Sequence, residues 1–374
     1  MQAVIVNPSS QKICGVSLLE RHLRALQAHG IHEVVTCELA VRAGLALPPT
    51  HKLREGKLLL LIQGDHLFDP RLIEHFAKLQ TPTALVAEDH RWAGMAVLDG
   101  ELLSQFPSEE SALGHWLSAH SQQLKAIKSS DIESYVPKLR RTVPLYWLKI
   151  KTEADVRRAE KLIVISSEKD PSDLLARYVH RPIENWAVRK LANYPITPNQ
   201  LSVFINILAY TVTALFLTGN LLAGSLLTLV VGLMDGLDGK LARVKDLTTK
   251  VGYLEHSFDL LFELSWILAL AFHLSRAQGL LPLILAGAII ILVAFYRDVY
   301  ARFGQVTHKS LDVYGRFERF FRRVAGRRNL YNIHILAFVL AGVPFYALVS
   351  IFMHAAITAA VYSYRALIHL RAGD

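Results

Sequence analysis

The sequence has little of what would mark a disulfide-stabilised or a nucleic-acid-binding protein. It contains only two cysteines, Cys14 and Cys37, among 374 residues, which gives no disulfide framework and suits a reducing compartment. A net charge of +9 is present, but no nucleic-acid-binding motif accompanies it. The opening MQAVIVNPSSQK lacks the basic region and long apolar run of a signal peptide, so we expect later segments to direct membrane insertion.

Hydrophobic residues make up 52% of the chain, a high share for a wholly soluble protein, and the excess lies beyond about residue 200. The length allows roughly two domains of about 150 residues each. We therefore predict a cytoplasmic α/β domain over residues 1–168, a linker with an interfacial amphipathic helix over 169–194, and an all-α transmembrane domain over 195–374.

The first domain alternates short apolar strands with helical patterns, which predicts a parallel α/β sheet. The predicted strands are 3–6, 33–36 and 58–62, and the predicted helices are 17–29 and 71–79. In the linker, apolar and basic residues mix around Tyr178 and Trp186, as in a helix that lies at a membrane surface; an ordinary surface helix is the alternative.

The second domain contains six apolar runs, from which we predict six transmembrane helices. We expect Asn199 to cap the first of these helices. The runs are 201–217, 221–234, 253–274, 280–296, 333–341 and 345–368.

Basic residues are distributed unevenly between the connections of these runs. Four basic residues lie between the second and third runs, and nine lie between the fourth and fifth. The connections near Gly219, Arg276 and Gly342 are nearly uncharged. By the positive-inside rule, both termini and the loop between runs two and three are cytoplasmic, which an even number of spans satisfies.

Four carboxylates lie where the second run ends and the third begins: Asp235, Asp238, Glu255 and Asp259. The spacings i,i+3 and i,i+4 place each pair on one helix face, and two facing helices would bring all four together. Ionisable groups at membrane depth require compensation. Hard oxygen ligands suit Mg²⁺, Mn²⁺ or Ca²⁺, so we predict a metal site.

Two further residues between the carboxylates suit a phosphorylated ligand. Gly239 allows a bulky group to approach the backbone, and Arg243 offers a planar fork for phosphate. The pattern D-x-x-D-G-x-x-A-R, followed by eight residues and a glycine, resembles the signature of CDP-alcohol phosphotransferases. It is carried here by Asp235, Asp238, Gly239, Ala242, Arg243 and Gly252.

This resemblance implies an integral membrane enzyme that moves a phosphoalcohol or phosphatidyl group from a CDP-linked donor to an acceptor hydroxyl and releases CMP. The donor is a CDP-alcohol or CDP-diacylglycerol. It also implies two Mg²⁺ ions, with Mn²⁺ possible, a homodimer and a cell (inner) membrane location. The family places its second pair of carboxylates one residue later than Glu255 and Asp259, at positions that hold His256 and Leu260 here.

The resemblance also assigns roles to individual residues. The four carboxylates hold the metal ions, Asp259 deprotonates the acceptor, and the nucleotide is seated by Asp235, Gly239, Ala242, Arg243 and Gly252. Phosphate or acceptor contacts are assigned to Arg181 and, from a GRRN motif, to Arg327 and Arg328. For the longer stretch FERFFRRVAGRRN that ends in this motif, the alternative is a charge run that faces solvent or lipid headgroups.

The order of pieces in residues 1–168 resembles a nucleotidyltransferase, but its metal and phosphate groups are missing. The opening NPSSQK has no glycine to present backbone N–H groups to a phosphate, and Lys149 and Lys151 stand where an acidic ligand is expected. Asp65 alone is a poor basis for two-metal chemistry. We therefore expect a degenerate domain.

Two other classes of function compete with the enzyme. The first is a catalytically inactive membrane scaffold that retains the fold, which the shifted carboxylates and the degenerate first domain favour. The second is a transporter or channel, which also gathers intramembrane carboxylates. The D-G-x-x-A-R turn has no purpose in a transporter.

Overall fold

A computed structural model describes residues 1–37, 58–104, 107, 115–116, 119–120, 122–169, 174–247 and 255–371. By their internal contacts the residues form two compact units. The first comprises Met1–Asp170, Ala192–Pro195 and Arg243–Asp246, and the second comprises Pro171–Leu191, Ile196–Ala242 and Leu247–Asp374.

The first unit is built around a six-stranded sheet. Its strands are β1 Gln2–Val6, β4 Val34–Cys37, β5 Leu59–Gln63, β7 Thr83–Val86, β8 Trp92–Leu98 and β9 Lys125–Lys128. Their order across the sheet is β4-β1-β5-β8-β7-β9. Smaller pairs are formed by β2 Lys12–Ile13 with β3 Val16–Ser17, β6 His66–Phe68 with β12 Trp147–Lys149, and β10 Tyr135–Val136 with β11 Arg141–Thr142. The α/β class of this domain is confirmed.

The prediction of a parallel sheet was wrong, because the sheet is mixed. β1 pairs in parallel with β4 and β5, but β8 runs antiparallel to both β5 and β7. A tight turn joins β7 to β8, in which the N–H of Ala87 donates to the carbonyl of Arg91 at 2.8 Å. Such a short connection joins only antiparallel neighbours.

In the described residues of this unit, four α-helices accompany the sheet: α1 Leu18–Ala28, α2 Pro70–Ala77, α3 Gly100–Ser104 and α4 Glu153–Ser166. Their starts follow from capping side chains. Ser17 accepts the N–H of Glu20, Asp69 accepts the N–H of Arg71, and Thr152 forms a reciprocal capping box with Asp155. Each cap satisfies backbone donors that a helix N-terminus leaves free.

The second unit is helical throughout its described residues apart from short turns. A π-helical turn, Ala176–His180, leads into α5 Arg181–Leu191. Then follow α6 Pro198–Leu217, α7 Leu221–Met234, α8 Leu237–Val244, α9 Glu255–Gln278, α10 Leu281–Thr307, α11 Arg316–Val324, α12 Arg328–Leu340 and α13 Phe345–Arg371.

Five helices in the described part of the chain are long and apolar enough to cross a membrane. They are Pro198–Leu217, Leu221–Val244, Ser257–Gln278, Leu281–Thr307 and Phe345–Arg371. The predicted fifth run forms α12, whose 13 residues fall short of the roughly 20 that a full span needs. The multi-pass helical character is therefore confirmed, and a sixth span stays a prediction.

Two local predictions around α6 have different outcomes. The predicted cap at Asn199 was wrong: Thr197 is the N-cap, Pro198 occupies the first helical turn, and Thr197 and Gln200 form a capping box. Proline fits that position because its missing N–H has no intrahelical partner there. In the linker, Tyr178 and Trp186 are 70% and 64% exposed, and the interfacial position of this segment stays a prediction.

Candidate active site

The acidic motif begins where α7 ends. Asp235 follows the last residue of α7 in right-handed helical conformation, and its N–H donates to the carbonyl of Val231 at 3.0 Å. After Gly236 the chain continues as α8, which contains Asp238. The first pair of carboxylates therefore lies at a junction between two nearly continuous helices.

The carboxylates of Asp235 and Asp259 meet at one guanidinium. Arg328, the first residue of α12, pairs through Nη2 with Oδ2 of Asp235, and its Nη1 lies 3.8 Å from Oδ1 of Asp259. All three side chains are largely shielded from solvent, with 12% exposure for Arg328, and its guanidinium stacks 4.9 Å from the Phe262 ring centroid. Two acidic side chains from α7 and α9 thus face a common position that already holds a positive charge.

Asp238 makes different contacts from Asp235, although the two are only three residues apart. Its Oδ2 accepts the hydroxyl of Ser202 on α6 at 2.5 Å, and its Oδ1 accepts the N–H of Gly239 at 2.7 Å. The side chain is almost wholly buried. Asp238 is therefore held by one hydrogen bond to α6 and by one within its own helix.

The turn that carries Arg327 and Arg328 is fixed by α13. The N–H of Gly326 donates to Oγ1 of Thr358 at 2.7 Å, and Nε2 of His354 lies 2.7 Å from the carbonyl of Val324. A side chain at Gly326 would collide with the hydroxyl of Tyr331. Arg327 caps α12, and its buried Nε has no hydrogen-bond partner among the described residues.

The remaining predicted site residues are placed as follows. Gly252 lies outside the described residues, and Glu255 is described only as the first residue of α9. Arg181 begins α5, Gly239 and Ala242 lie in α8, and Arg243 donates from Nε to the carbonyl of Ser167 at 2.8 Å within the first unit. The structure thus brings together Asp235, Asp259 and Arg328.

The donor set suits a hard cation. Within the described side chains, which exclude that of Glu255, no group of three His, Cys, Asp or Glu residues is close enough to hold a metal ion. Asp235 and Asp259 nevertheless approach the same guanidinium, so a cation at this position is compatible with both carboxylates. Carboxylate oxygens are ligands that Mg²⁺ and Mn²⁺ accept.

Sequence reasoning missed two polar residues that position the site. Ser202 lies in an otherwise apolar run and hydrogen-bonds Asp238, and Thr358 lies in another and holds Gly326. An isolated hydroxyl in an apolar helix usually donates to the backbone carbonyl four residues earlier, and Ser202 and Thr358 do this as well. The sequence therefore does not distinguish these two residues from the other serines and threonines of the apolar helices.

The first unit has a contact of its own that bears on function. Nζ of Lys149 lies 3.6 Å from Oδ2 of Asp65, and Oδ1 of Asp65 lies 2.7 Å from Nδ1 of His66. Burial opposes ionisation of Asp65, but the hydrogen bond with His66 and the charge of Lys149 hold its pKa below the usual range. A lysine ammonium therefore occupies the position beside the carboxylate that a metal ion would need.

Comparisons with known proteins give one match within the helical part of the chain and others that extend beyond it or are shorter. Residues 195–362 match the family model described as CDP-alcohol phosphatidyltransferase. A bifunctional IPC transferase and DIPP synthase of Archaeoglobus fulgidus is 23% identical over 306 residues, which cover 75% of this chain and 59% of that protein. Its counterpart in Aquifex aeolicus is 27% identical over 202 residues, 53% of this chain and 45% of that protein. The chain thus spans about half the length of the curated relatives it matches.

Two shorter or more distant likenesses accompany these. Inner membrane protein YnjF of Escherichia coli is 39% identical over 95 residues, 24% of this chain and 45% of that protein. A crystal structure of Mycobacterium tuberculosis phosphatidylinositol phosphate synthase (PgsA1) with CDP-DAG bound aligns at 18% identity and a TM-score of 0.37, covering 50% of this chain and 93% of that one.

The helices and the acidic motif define a polytopic membrane domain with a shared carboxylate site. The part of the chain that contains them, residues 195–362, matches the CDP-alcohol phosphatidyltransferase family model. The family resemblance predicted from the D-x-x-D-G-x-x-A-R motif is confirmed.

Proposed function

We propose that this protein is a metal-dependent CDP-alcohol phosphotransferase that moves a substituted phosphate from a CDP-linked donor to an acceptor hydroxyl. The observation that carries the proposal is the approach of Asp235 and Asp259, from two different helices, to one shared cationic position. It is supported by the family match over residues 195–362, which includes both carboxylates.

In this proposal Asp235, Asp238, Glu255 and Asp259 hold two divalent ions, Mg²⁺ or Mn²⁺. When bound, such ions would neutralise the negative charge of the pyrophosphate and the charge that develops on it during the reaction. Asp259 accepts the proton of the acceptor hydroxyl, whose oxygen forms a bond to the β-phosphorus of the donor. The bond between that phosphorus and the CMP oxygen breaks, and CMP leaves.

The positively charged residues of the site orient phosphate groups in this reaction. Gly239, Ala242, Arg243 and Gly252 seat the nucleotide, and Arg181, Arg327 and Arg328 contact phosphate of the donor or acceptor. Arg327 suits that role because its Nε is buried beside the site without a described hydrogen-bond partner. A bidentate guanidinium matches phosphate oxygens in geometry and charge.

Two donors fit the proposal. The bifunctional relatives are named for IPC transferase and DIPP synthase activities, which favours an inositol-phosphate type of reaction with a soluble polar acceptor. The family description as a phosphatidyltransferase favours CDP-diacylglycerol. Both donors present the same CDP pyrophosphate to the carboxylates.

We place the protein in the cell (inner) membrane with six spans, with α12 as the fifth, and with both termini and the mouth of the site in the cytoplasm. The distribution of basic residues supports this orientation. A reporter fused to the C-terminus separates six spans from five, because five spans place it on the opposite side from the N-terminus. We also propose a homodimer, from the family alone.

The first domain is proposed to be a degenerate nucleotidyltransferase-like domain without catalytic activity. The contact between Lys149 and Asp65 supports this, because the ammonium repels a divalent ion at the carboxylate. The full-length protein should therefore not release pyrophosphate from CTP and a phosphoalcohol. Release of pyrophosphate that survives Asp235→Asn would contradict this part of the proposal.

The proposed reaction is tested by CMP release in reconstituted full-length protein. CDP-diacylglycerol and CDP-inositol are supplied side by side, with an acceptor, in Mg²⁺ or in EDTA. We expect release with one donor, abolished by EDTA and reduced by roughly 10²-fold or more in Asp235→Asn and in Asp259→Asn. Asp298→Asn, an equally isosteric change at a 57% exposed side chain, is the matched control.

The alternative function is a catalytically inactive scaffold that retains the fold. The ion pair of Arg328 with Asp235 favours it, because the guanidinium already compensates the carboxylates. A scaffold gives no CMP from either donor under any metal condition, and it tolerates Asp259→Asn without loss of thermal stability in Mg²⁺. Metal-dependent CMP release that requires Asp259 excludes it.

A further inference from the structure

Helix α11, Arg316–Val324, has the inverse of the usual polarity of a surface helix. Its two fully buried residues are charged, Glu318 at 4% and Arg322 at 6% exposure. Two of its phenylalanines, Phe317 and Phe320, are instead 48% and 61% exposed. A helix in water normally turns its apolar face inward. The exposed aromatic side chains therefore need an environment other than water.

The inverted orientation of α11 is fixed by specific charged contacts. Oε1 of Glu318 accepts the Nε–H of Arg365 at 2.5 Å and lies 2.7 Å from Nε2 of His369, both on α13. Nε of Arg322 lies 3.3 Å from Oδ2 of Asp312. Because buried charges without partners are strongly unfavourable, these contacts prevent the helix from rolling its phenylalanines inward.

The outward side of α11 carries a second row of residues beside the phenylalanines. Arg316, Arg319 and Arg323 follow one another at i, i+3 and i+7, which places them along one helix face. Arg316 and Arg319 are exposed and Arg323 is half-buried. No described carboxylate forms an ion pair with any of the three. An apolar row and a cationic row thus lie side by side on the exposed surface.

The position of α11 in the chain places this surface beside the membrane. It lies between α10, a candidate span that ends at Thr307, and α12, which begins at Arg328. A short helix that follows the end of a span lies at the level of the lipid headgroups. Aromatic side chains favour the boundary between headgroups and acyl chains, and arginines bind anionic headgroups.

We propose that α11 is an interfacial helix that binds anionic phospholipid, with the phosphates of the headgroups on Arg316, Arg319 and Arg323 and the rings of Phe317 and Phe320 in the acyl boundary. The surface shares no residue with the carboxylate site, and the proposal does not depend on the proposed reaction. Three arginines close to a charged surface predict a preference for anionic over neutral lipid of roughly tenfold or more.

The charge part of the proposal is tested by thermal unfolding of the full-length protein in neutral detergent. Phosphatidylglycerol is added in one series, phosphatidylcholine in a second and inorganic phosphate in a third. We expect phosphatidylglycerol to raise the unfolding temperature and the other two to raise it little. An equal rise with phosphatidylcholine overturns the proposal, and so does an equal rise with inorganic phosphate, which would indicate a site for free anions.

Matched variants assign the effect to α11. The triple change Arg316→Gln/Arg319→Gln/Arg323→Gln should abolish the rise with phosphatidylglycerol. The control Arg157→Gln/Arg158→Gln/Lys161→Gln removes the same amount of charge from exposed positions of α4. This control should still show the rise in unfolding temperature with phosphatidylglycerol. A rise that persists in the α11 triple, or that is lost equally in the control, overturns the assignment.

The apolar part is tested by a nitroxide at position 320 in lipid nanodiscs, after both natural cysteines are replaced by alanine. Collision rates with O₂ and with a water-soluble nickel complex report whether the label lies in lipid or in water. Val203→Cys on α6 and Tyr135→Cys on β10, both exposed, give the lipid and water references. We expect a lipid-like value for Phe320→Cys, and a value equal to the Tyr135→Cys reference overturns the proposal in favour of a water-exposed or protein-binding surface.

Discussion

Nη1 of Arg328 lies 3.8 Å from Oδ1 of Asp259, while Nη2 of the same guanidinium pairs with Asp235. One side chain at the start of α12 therefore neutralises two carboxylates from different helices. The three residues belong to different segments of the sequence, and the attraction between the guanidinium and the two carboxylates links α7, α9 and α12 at this point.

Replacing Arg328 should destabilise the metal-free protein more than the metal-loaded one. Arg328→Gln leaves two largely shielded carboxylates without compensation, which we expect to cost roughly 1–3 kcal/mol, between the values of surface and fully buried pairs. Divalent cations should restore part of this loss. The measurement is the unfolding temperature in EDTA and in Mg²⁺. Arg302→Gln, which removes a 73% exposed partner of Asp298, is the control, and an equal loss in both conditions contradicts the prediction.

Thr358 should matter through its hydroxyl and not through its size. Thr358→Val keeps the shape but leaves the buried N–H of Gly326 without its acceptor, at a cost of about 1–3 kcal/mol. Thr358→Ser should retain most of the stability. Because Gly326 precedes Arg327 and Arg328, the valine variant should also raise KM more than it lowers kcat. Equal behaviour of the valine and serine variants would show that the hydrogen bond is unimportant.

Gly64, between β5 and β6, should not tolerate a side chain. A Cβ at this position would lie 2.7 Å from Cα of Pro8 and 2.5 Å from the carbonyl oxygen of Asn7, and a backbone cannot move aside cheaply. Gly64→Ala should cost roughly 1–3 kcal/mol of folding free energy, measured by denaturant unfolding of the full-length protein. Gly100→Ala, where no atom beyond the adjoining residues and the helix's own backbone lies within 4 Å of the new Cβ, should be close to neutral.

Acid should loosen α11 through Glu318. Burial alone would raise the pKa of Glu318, but the hydrogen bonds from His369 and Arg365 hold it below its ordinary value of 4.5. A lowered folded-state pKa gives stability that is present above the unfolded value and is lost as the pH falls through the folded one. Glu318→Gln should lower the unfolding temperature at pH 7 and reduce its further fall below pH 4.5. Glu133→Gln, at an exposed position, should leave the profile unchanged.

Much of the fold followed from periodicity. The strands at Gln2–Val6 and Leu59–Gln63 and the helix at Leu18–Ala28 lie within a few residues of their predicted ranges, because continuous apolar runs and amphipathic spacing are local signals. The mixed direction of the sheet was not predictable in the same way. The direction of each strand depends on how β8 pairs with the strands on both of its sides, and the sequence of one segment does not determine its pairing with another.

The candidate site shows the same division. The carboxylates, the arginine fork and the family were predicted from the motif, and the family was confirmed. The contact of Ser202 with Asp238 could not be predicted, because it depends on the rotation of α6 about its axis. The spacing also suggested that Asp235 and Asp238 share one face, yet they contact different helices: Asp235 pairs with Arg328 of α12 and Asp238 with Ser202 of α6.

The assignment of residues 243–246 to the first unit has a practical meaning for dissecting the chain. Arg21 of α1 pairs with Asp246 at 2.5 Å and donates to the carbonyl of Val244 at 2.9 Å. A fragment that stops at residue 170 would lack both acceptors and leave this deeply placed arginine without them. The first unit is thus completed by residues 243–246, which lie in the middle of the sequence. Because the two units alternate along the chain, truncation at any single point removes part of one of them.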